Sequence, residues 1–269
     1  MEVQGKKNIM AKILTWNVNS IRTRIEQVKK IVNKYEPDFL CLQETKVINE
    51  LFPLKFFRNL GYPYCYLNGI PSYNGVCIIS KYEATKVKTV NWCRINDGRH
   101  IGIEVMGLKI HSLYFPAGGD IPDIESNSKF KHKLEFLSEV TDWSSKNRKD
   151  TIICGDFNVA PFKDDVWSHS QLKNVISHTE IERNAMNNFQ LAGEWIDAVR
   201  KYVNPPENVF TWWSYRSKDF KKNNRGRRLD HIWVSKNIEE KIRNSQILKQ
   251  TREWEKPSDH VPILFEIKI

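Results

Sequence analysis

The sequence predicts an α/β domain of packed layers, two sheets with helices outside them, over residues 10–269 as one unit. Three observations predict it. The chain opens as β-α-β. A run of short strands with brief connections follows. After that, helical patterns alternate with apolar strands, and no linker or internal repeat divides them. With 269 residues, 40% of them hydrophobic, the chain can bury one substantial core.

Residues 1–9 hold Lys6 and Lys7 but no apolar segment, so they read as a leader outside the fold and not as a secretory signal. Lys12–Val18 is strand-like, and Ile21, Ile25, Val28, Ile31 and Val32 then recur at helical spacing up to Tyr35. Pro37-Asp38 ends that helix, and Phe39–Leu42 is a second buried strand. Residues 51–75, rich in proline, glycine and aromatics, read as loop. Val76–Ser80, Val87–Trp92, Ile101–Met106 and Lys109–Phe115 read as the strands of an antiparallel meander. Phe130, Leu134, Leu137 and Val140 mark an amphipathic helix to about Trp143. An apolar strand at 151–154 precedes an irregular stretch, 159–178, and a helix over Glu180–Leu191. After the Asn204-Pro205-Pro206 turn, Phe210–Arg216 reads as a bulky strand, Leu229–Val234 as another and Ile263–Ile267 as the last.

The net charge of +10 points to a polyanion, nucleic acid or an anionic membrane surface, and does not choose between them. No stretch is apolar for long enough to span a bilayer. The five cysteines (Cys41, Cys65, Cys77, Cys93 and Cys154) include no Cys-x-x-Cys pair, which predicts a reducing, cytoplasmic setting with neither a disulfide framework nor a zinc site.

Polar residues gather where strands end. Taken alone, Gly155-Asp156-Phe157-Asn158 reads as a turn after a buried strand, with Gly155 as its hinge. Asn17, Glu44, Tyr114, Asp230, Asp259 and His260 sit beside other strand ends, and each is equally a solvated end or a packed ring. In open α/β sheets, however, ligands bind beyond such ends. Four carboxylates, two amides, an imidazole and a phenol that converge there would suit a hard cation such as Mg²⁺. Trp212-Trp213, followed by cations at 218, 221, 222, 225, 227 and 228, reads either as core plus solvated loop or as a nucleic-acid contact that uses stacking and phosphate pairing.

Five motifs then occur in order: Trp16-Asn17-Val18-Asn19, Leu42-Gln43-Glu44-Thr45-Lys46, Gly155-Asp156-Phe157-Asn158, Asn224-Arg225-Gly226-Arg227-Arg228-Leu229-Asp230 and Ser258-Asp259-His260-Val261-Pro262. Together they resemble the exonuclease III family of apurinic/apyrimidinic (AP) endonucleases over residues 10–269. The resemblance implies a four-layer α/β sandwich, two packed mixed sheets flanked by helices. It implies Mg²⁺-dependent cleavage 5′ to abasic sites in duplex DNA, Mn²⁺ able to substitute, with exonuclease and phosphatase action on blocked 3′ ends. It makes Glu44 the main metal ligand, with Asn17, Asp156, Asn158, Asp259 and His260 at or near the ion. Tyr114, Asp156, Asn158, Asp230 and His260 become the catalytic set, with Asp156 activating water and Asp230 orienting His260. Arg22, Lys46, Trp212, Tyr215, Arg216, Lys221, Lys222, Arg225, Arg228 and Leu229 become DNA contacts, and Trp212 and Leu229 line the pocket for the abasic sugar. Ala117 and Arg227 depart from the family pattern, which bears on substrate preference. The superfamily also holds nonspecific DNases, RNA deadenylases, lipid phosphodiesterases and noncatalytic binders. A monomer is the expectation.

Overall fold

The structure is a computed structural model that describes residues 9–216 and 219–269. Most of the leader, and Ser217 and Lys218 of the basic segment, lie outside the described residues.

The chain runs β1 (Met10–Asn17), α1 (Ile25–Tyr35), β2 (Phe39–Gln43), α2 (Leu54–Asn59), β3 (Tyr64–Asn68) and β4 (Val76–Ser80). It continues with β5 (Lys86–Lys88), β6 (His100–Val105), β7 (Leu108–Tyr114), α3 (Ser128–Lys146), β8 (Thr151–Asp156), α4 (His169–Leu172) and α5 (Glu180–Gly193). It closes with β9 (Trp195–Asp197), α6 (Phe220–Asn223), β10 (Asp230–Ser235), β11 (Ile242–Ile247) and β12 (Ile263–Lys268). Two six-stranded sheets result, in the orders β11-β12-β1-β2-β4-β3 and β5-β6-β7-β8-β10-β9. Each is mixed: β1/β2 and β7/β8 pair in parallel, and the other pairs are antiparallel.

Alternation along the strands builds the layers. Ile13, Cys41, Ile78 and Phe265 of the first sheet meet Ile103, Ile110, Ile152 and Ile232 of the second in one buried cluster. The alternate residues Leu14, Trp16, Leu40 and Leu42 face Val28 and Ile31 of α1 and Phe57 of α2. On the far side Leu113, Ile153 and Trp233 pack on Phe136 and Val140 of α3 and on Met186 and Phe189 of α5. Burial of both faces explains why the central strands read as continuous apolar runs. The fold is therefore the four-layer α/β sandwich expected.

The two longest helices start on side-chain caps. The Asn127 side chain accepts from the Lys129 and Phe130 amides at the start of α3, and Thr179 and Glu182 form a capping box on α5.

Five sequence expectations need correction. Residues 51–75 are not all loop, because Pro53, Gly61, Pro63 and Gly69 punctuate a short helix and an edge strand. The meander is split: β4 belongs to the first sheet and β5-β6-β7 to the second. The strand at 87–92 shrinks to Lys86–Lys88, and the chain then turns so that the Val90 amide meets His100 and Trp92 packs edge-on to Phe136. Phe210–Arg216 is not a strand but an irregular connection in which Trp212 makes single bridges to Arg227 and His260. Gly155 is no turn hinge, because β8 continues through Asp156; a side chain at Gly155, where φ is +141°, would run into the Leu113 carbonyl of β7. Strands β9 and β11 had no expectation, one being three residues long and the other a polar edge.

Candidate active site

The predicted strand-end residues meet at one end of the sandwich. Tyr114, Asp156 and Asp230 share one rung of the second sheet, since Asp156 pairs with Tyr114 across β7/β8 and with Asp230 across β8/β10. Asn17 and Gln43 share a rung of the first sheet, with Glu44 next in the chain. Glu44, Lys46, Asn19 and Asn158 all have φ between 44° and 53°. Non-glycine residues rarely adopt that conformation, and it gathers at functional sites.

Hydrogen bonds join the two sheets. Asn17 Nδ2 donates to Glu44 Oε1 at 2.8 Å and to Asp156 Oδ2 at 2.9 Å. His260 Nδ1 and Asp230 Oδ2 are 2.8 Å apart, and His260 Nε2 lies 3.6 Å from Asp156 Oδ2. Asp156, Asp230 and His260 are buried. Asn158 gives its backbone N–H to Asp156 Oδ1 at 2.9 Å and its side-chain amide to the Phe115 carbonyl at 2.9 Å. Asp259 accepts from Trp212 Nε1 at 2.9 Å and from Asn19 Nδ2 at 3.1 Å. Lys46 reaches Glu44 at 2.8 Å and Asn19 at 2.6 Å.

This web separates the acidities of its members. Burial raises Asp156 above the ordinary carboxylate range, with Asp230 and Glu44 adding to the rise and His260 and Asn17 opposing it. Burial also works against the charge on Glu44, but the bonds from Asn17 and Lys46 outweigh it and hold Glu44 low. Asp259 is held low in the same way, against burial, by His260, Trp212 and Asn19. Burial disfavours the His260 cation too, yet Asp230 and Asp156 overcome this and raise it, so His260 is an imidazolium at neutral pH. Tyr114 is pushed up by burial and then by Glu44 and Asp156, and stays a neutral phenol. Carboxylates of divided acidity beside a cation and a phenol form an acid–base set. Glu44, Asp156, Asp230 and Asp259 with two amide side chains also make an oxygen-rich donor set, and Asp230 Oδ1 is buried with no hydrogen-bond partner among the described residues. Such a set fits Mg²⁺.

A basic groove of about 720 Å³ is lined by Trp167, Trp212, Ser214, Arg216, Lys222, Arg225 and Arg227, among others. Arg225 lies over the Trp167 ring at 4.6 Å and Arg227 over the Trp212 ring at 5.4 Å. Leu229 packs against Trp167 and Trp212. Arg22 is exposed, and Tyr215 is exposed with its hydroxyl accepting from Arg24 at 2.8 Å. A larger hollow of about 840 Å³ near the start of α5 includes none of the converging groups.

Two predicted DNA contacts sit differently. Arg228 is 0% exposed and donates to both Asp197 carboxylate oxygens at 2.7 and 2.6 Å, so it is a structural ion pair and not a DNA contact. Lys221 pairs with Glu253 at 2.7 Å and does not line the groove.

Sequence reasoning missed four supports. Thr211 Oγ1 accepts from the Leu229 and Asp230 amides at 3.0 Å each. Ser258 Oγ donates to the Asn17 carbonyl at 2.7 Å. Asn19, two residues after Asn17, ties Lys46 to Asp259. Lys133 of α3 is 0% exposed and donates to the Asn158 carbonyl at 2.8 Å and the Ala117 carbonyl at 3.3 Å, with Glu182 of α5 2.5 Å away. Asn19 and Ser258 lie inside the quoted motifs and were within reach; Lys133 lies in none of them.

The family model described as Endonuclease/Exonuclease/phosphatase family matches residues 14–260. The chain belongs to this family. Within it, the exonuclease III resemblance holds. Exodeoxyribonuclease III of Haemophilus influenzae is 31% identical over 96% of this chain and all of that protein. An AP endonuclease structure from Archaeoglobus fulgidus superposes with a TM-score of 0.89 at 32% identity, covering 96% of this chain and 100% of its own. A Neisseria 3′ phosphatase bound to a product DNA hairpin gives a TM-score of 0.87 at 30% identity, over 96% and 99% of the two chains. As a member of this family the chain is a hydrolase of phosphoester bonds, of the exodeoxyribonuclease III and AP endonuclease type. No helix among the described residues is long and apolar enough to cross a membrane.

Proposed function

We propose that this DNA-repair nuclease hydrolyses the phosphodiester 5′ to an abasic site in duplex DNA, with Mg²⁺, and also acts on 3′ ends as an exonuclease and phosphatase. The observation that carries this reading is the Asp156–His260–Asp230 cluster, joined through Asn17 to Glu44 and opening beside a groove of tryptophans and arginines.

Glu44, with Asn17 and Asp259, would hold Mg²⁺, which when bound neutralises charge on the phosphoryl oxygens. Asp156, the carboxylate whose pKa burial raises, takes the proton from the attacking water. Asp230 holds the His260 ring so that its other N–H faces the phosphate and donates to a phosphate oxygen. Asn158 steadies the Asp156 loop on the phosphate side. Tyr114 donates from its phenol toward the departing 3′ oxygen as the P–O bond breaks. Trp212 and Leu229 form an apolar wall for an extruded sugar, and Arg216, Lys222 and Arg225 meet the phosphates along the groove.

The test is duplex DNA with a single abasic analogue, incubated with Mg²⁺ and then with EDTA. Incision at the analogue that stops with EDTA is expected. Equal cutting of undamaged duplex would make the protein a less specific nuclease, and binding without incision would make it a noncatalytic relative.

A further inference from the structure

Outside the active site the fold draws together a second set of metal-binding side chains. Cys93, at φ +55°, kinks the short turn Trp92–Arg94 beside α3. Its sulfur, an imidazole nitrogen of His132 and a carboxylate oxygen of Glu135 are all within 4.8 Å of one another. His132 and Glu135 are three residues apart on α3 and so share a face. One turn further, Glu139 accepts the Cys93 backbone N–H at 2.8 Å. In a chain of net charge +10, this thiol and imidazole sit among Glu135, Glu139 and Asp97, with Arg99 the neighbouring cation, ion-paired to Asp97. None of the active-site residues takes part, although Arg99 also lies over the Tyr114 ring at 5.0 Å.

We propose that Cys93, His132 and Glu135 bind a borderline-soft divalent cation, Zn²⁺ above all, with Glu139 or water completing the coordination. Mixed sulfur, nitrogen and oxygen donors suit zinc and do not suit Mg²⁺, which takes oxygen. Zinc bonds of about 2.0–2.3 Å put tetrahedral donors roughly 3.5 Å apart, and donors that lie within 4.8 Å of one another reach that spacing through rotation of side chains that are half-buried or exposed. Burial, then Glu139 and Glu135, push the Cys93 thiol up to about 11. The cation therefore replaces a proton, which passes to solvent as the S–Zn bond forms. The bound ion ties the turn that leads to Arg99 onto α3, and its role is structural.

Co²⁺ is the probe for Zn²⁺, because a cysteine ligand adds a thiolate-to-cobalt charge-transfer band that oxygen and nitrogen ligands do not. The whole protein, stripped with chelator and returned to Mg²⁺ buffer, should develop this band on Co²⁺ titration and lose it when Zn²⁺ is added. Cys93→Ser should abolish the band and His132→Ala should weaken the Co²⁺ binding that the band reports at least tenfold, while Glu44→Gln leaves the band unchanged. Zn²⁺ should raise the melting temperature of the wild type and not of Cys93→Ser. No band in the wild type, or a band that survives Cys93→Ser, overturns the proposal. If Cys93→Ser does not fold, the surface double variant His132→Gln/Glu135→Gln decides: loss of the band supports the site, and undiminished affinity overturns it.

Discussion

Single residues show how burial assigns roles here. Asp156 and Glu44 belong to one hydrogen-bonded web, yet burial, reinforced by the carboxylates of Asp230 and Glu44, wins at Asp156 and loses at Glu44, where the Lys46 cation adds to the bond from Asn17. Asp156→Asn keeps the shape and removes the proposed base, and turnover on abasic duplex should fall on the order of 10³-fold or more with DNA binding retained. Single-turnover kinetics beside a binding titration checks both halves, and near-normal turnover would remove Asp156 from the mechanism. Lys133 is the opposite case, a buried cation that touches no substrate and holds the carbonyls of Asn158 and Ala117. Removing one partner of such a pair costs about 3–5 kcal/mol. Lys133→Met should therefore lower stability by that order in urea titration, whereas Lys133→Met combined with Glu182→Met should recover part of it.

Elements bring these residues together, and the basic segment shows how differently neighbours in sequence can be used. Of its cations, Arg228 is sealed in the core against Asp197, Lys221 is paired with Glu253, and Lys222 and Arg225 face the groove. Sequence reading could not sort them, because the side on which each lies depends on α6 and on the Trp212–Arg227 bridge. Neutralising Lys222 and Arg225 should reduce the slope of log affinity against log salt by about 0.9 each, and Lys221→Gln should leave it unchanged. A uniform effect of all three would place Lys221 on the DNA. At the start of α3, Asn127→Ala removes a cap and should cost about 1 kcal/mol, read from the shift of the unfolding midpoint.

On the scale of the whole molecule, the buried histidines set the response to acid. Burial foremost lowers His111 and His231 to about 3 and His178 to about 4, against about 6.5 in an unfolded chain. The folded state keeps them neutral while the unfolded state takes up protons. Their contribution is therefore complete above about pH 6.5 and is lost as pH falls toward 4 and below. Each adds a slope of up to about 1.4 kcal/mol per pH unit in that window. His260, raised in the fold, works the other way: its contribution is complete below about pH 6.5 and is lost as pH climbs through its raised value. Urea unfolding at several pH values should show stability falling on acidification, and His231→Asn should flatten the decline if the variant folds. A flat profile in the wild type would show that these rings are protonated in the native state.

The sequence by itself determined the layer pattern, because strands buried on both faces must be apolar throughout and helices on the outside must be amphipathic. It also determined the family and the core of the candidate site: Asn17, Glu44, Asp156, Asn158, Asp230, Asp259 and His260 were legible because they fall in five motifs that occur in order, with Tyr114 between them, whereas each alone reads as a solvated strand end or a packed ring. What was not legible depends on contacts between distant segments. Only the tertiary structure decided that Arg228 supports the fold, that Lys133 holds the Asn158 loop, that the 51–75 segment contains a helix and an edge strand, and that Cys93 meets His132 and Glu135. Spacing along the chain reports which face of its own element a residue occupies; what lies against that face is set by how the layers stack.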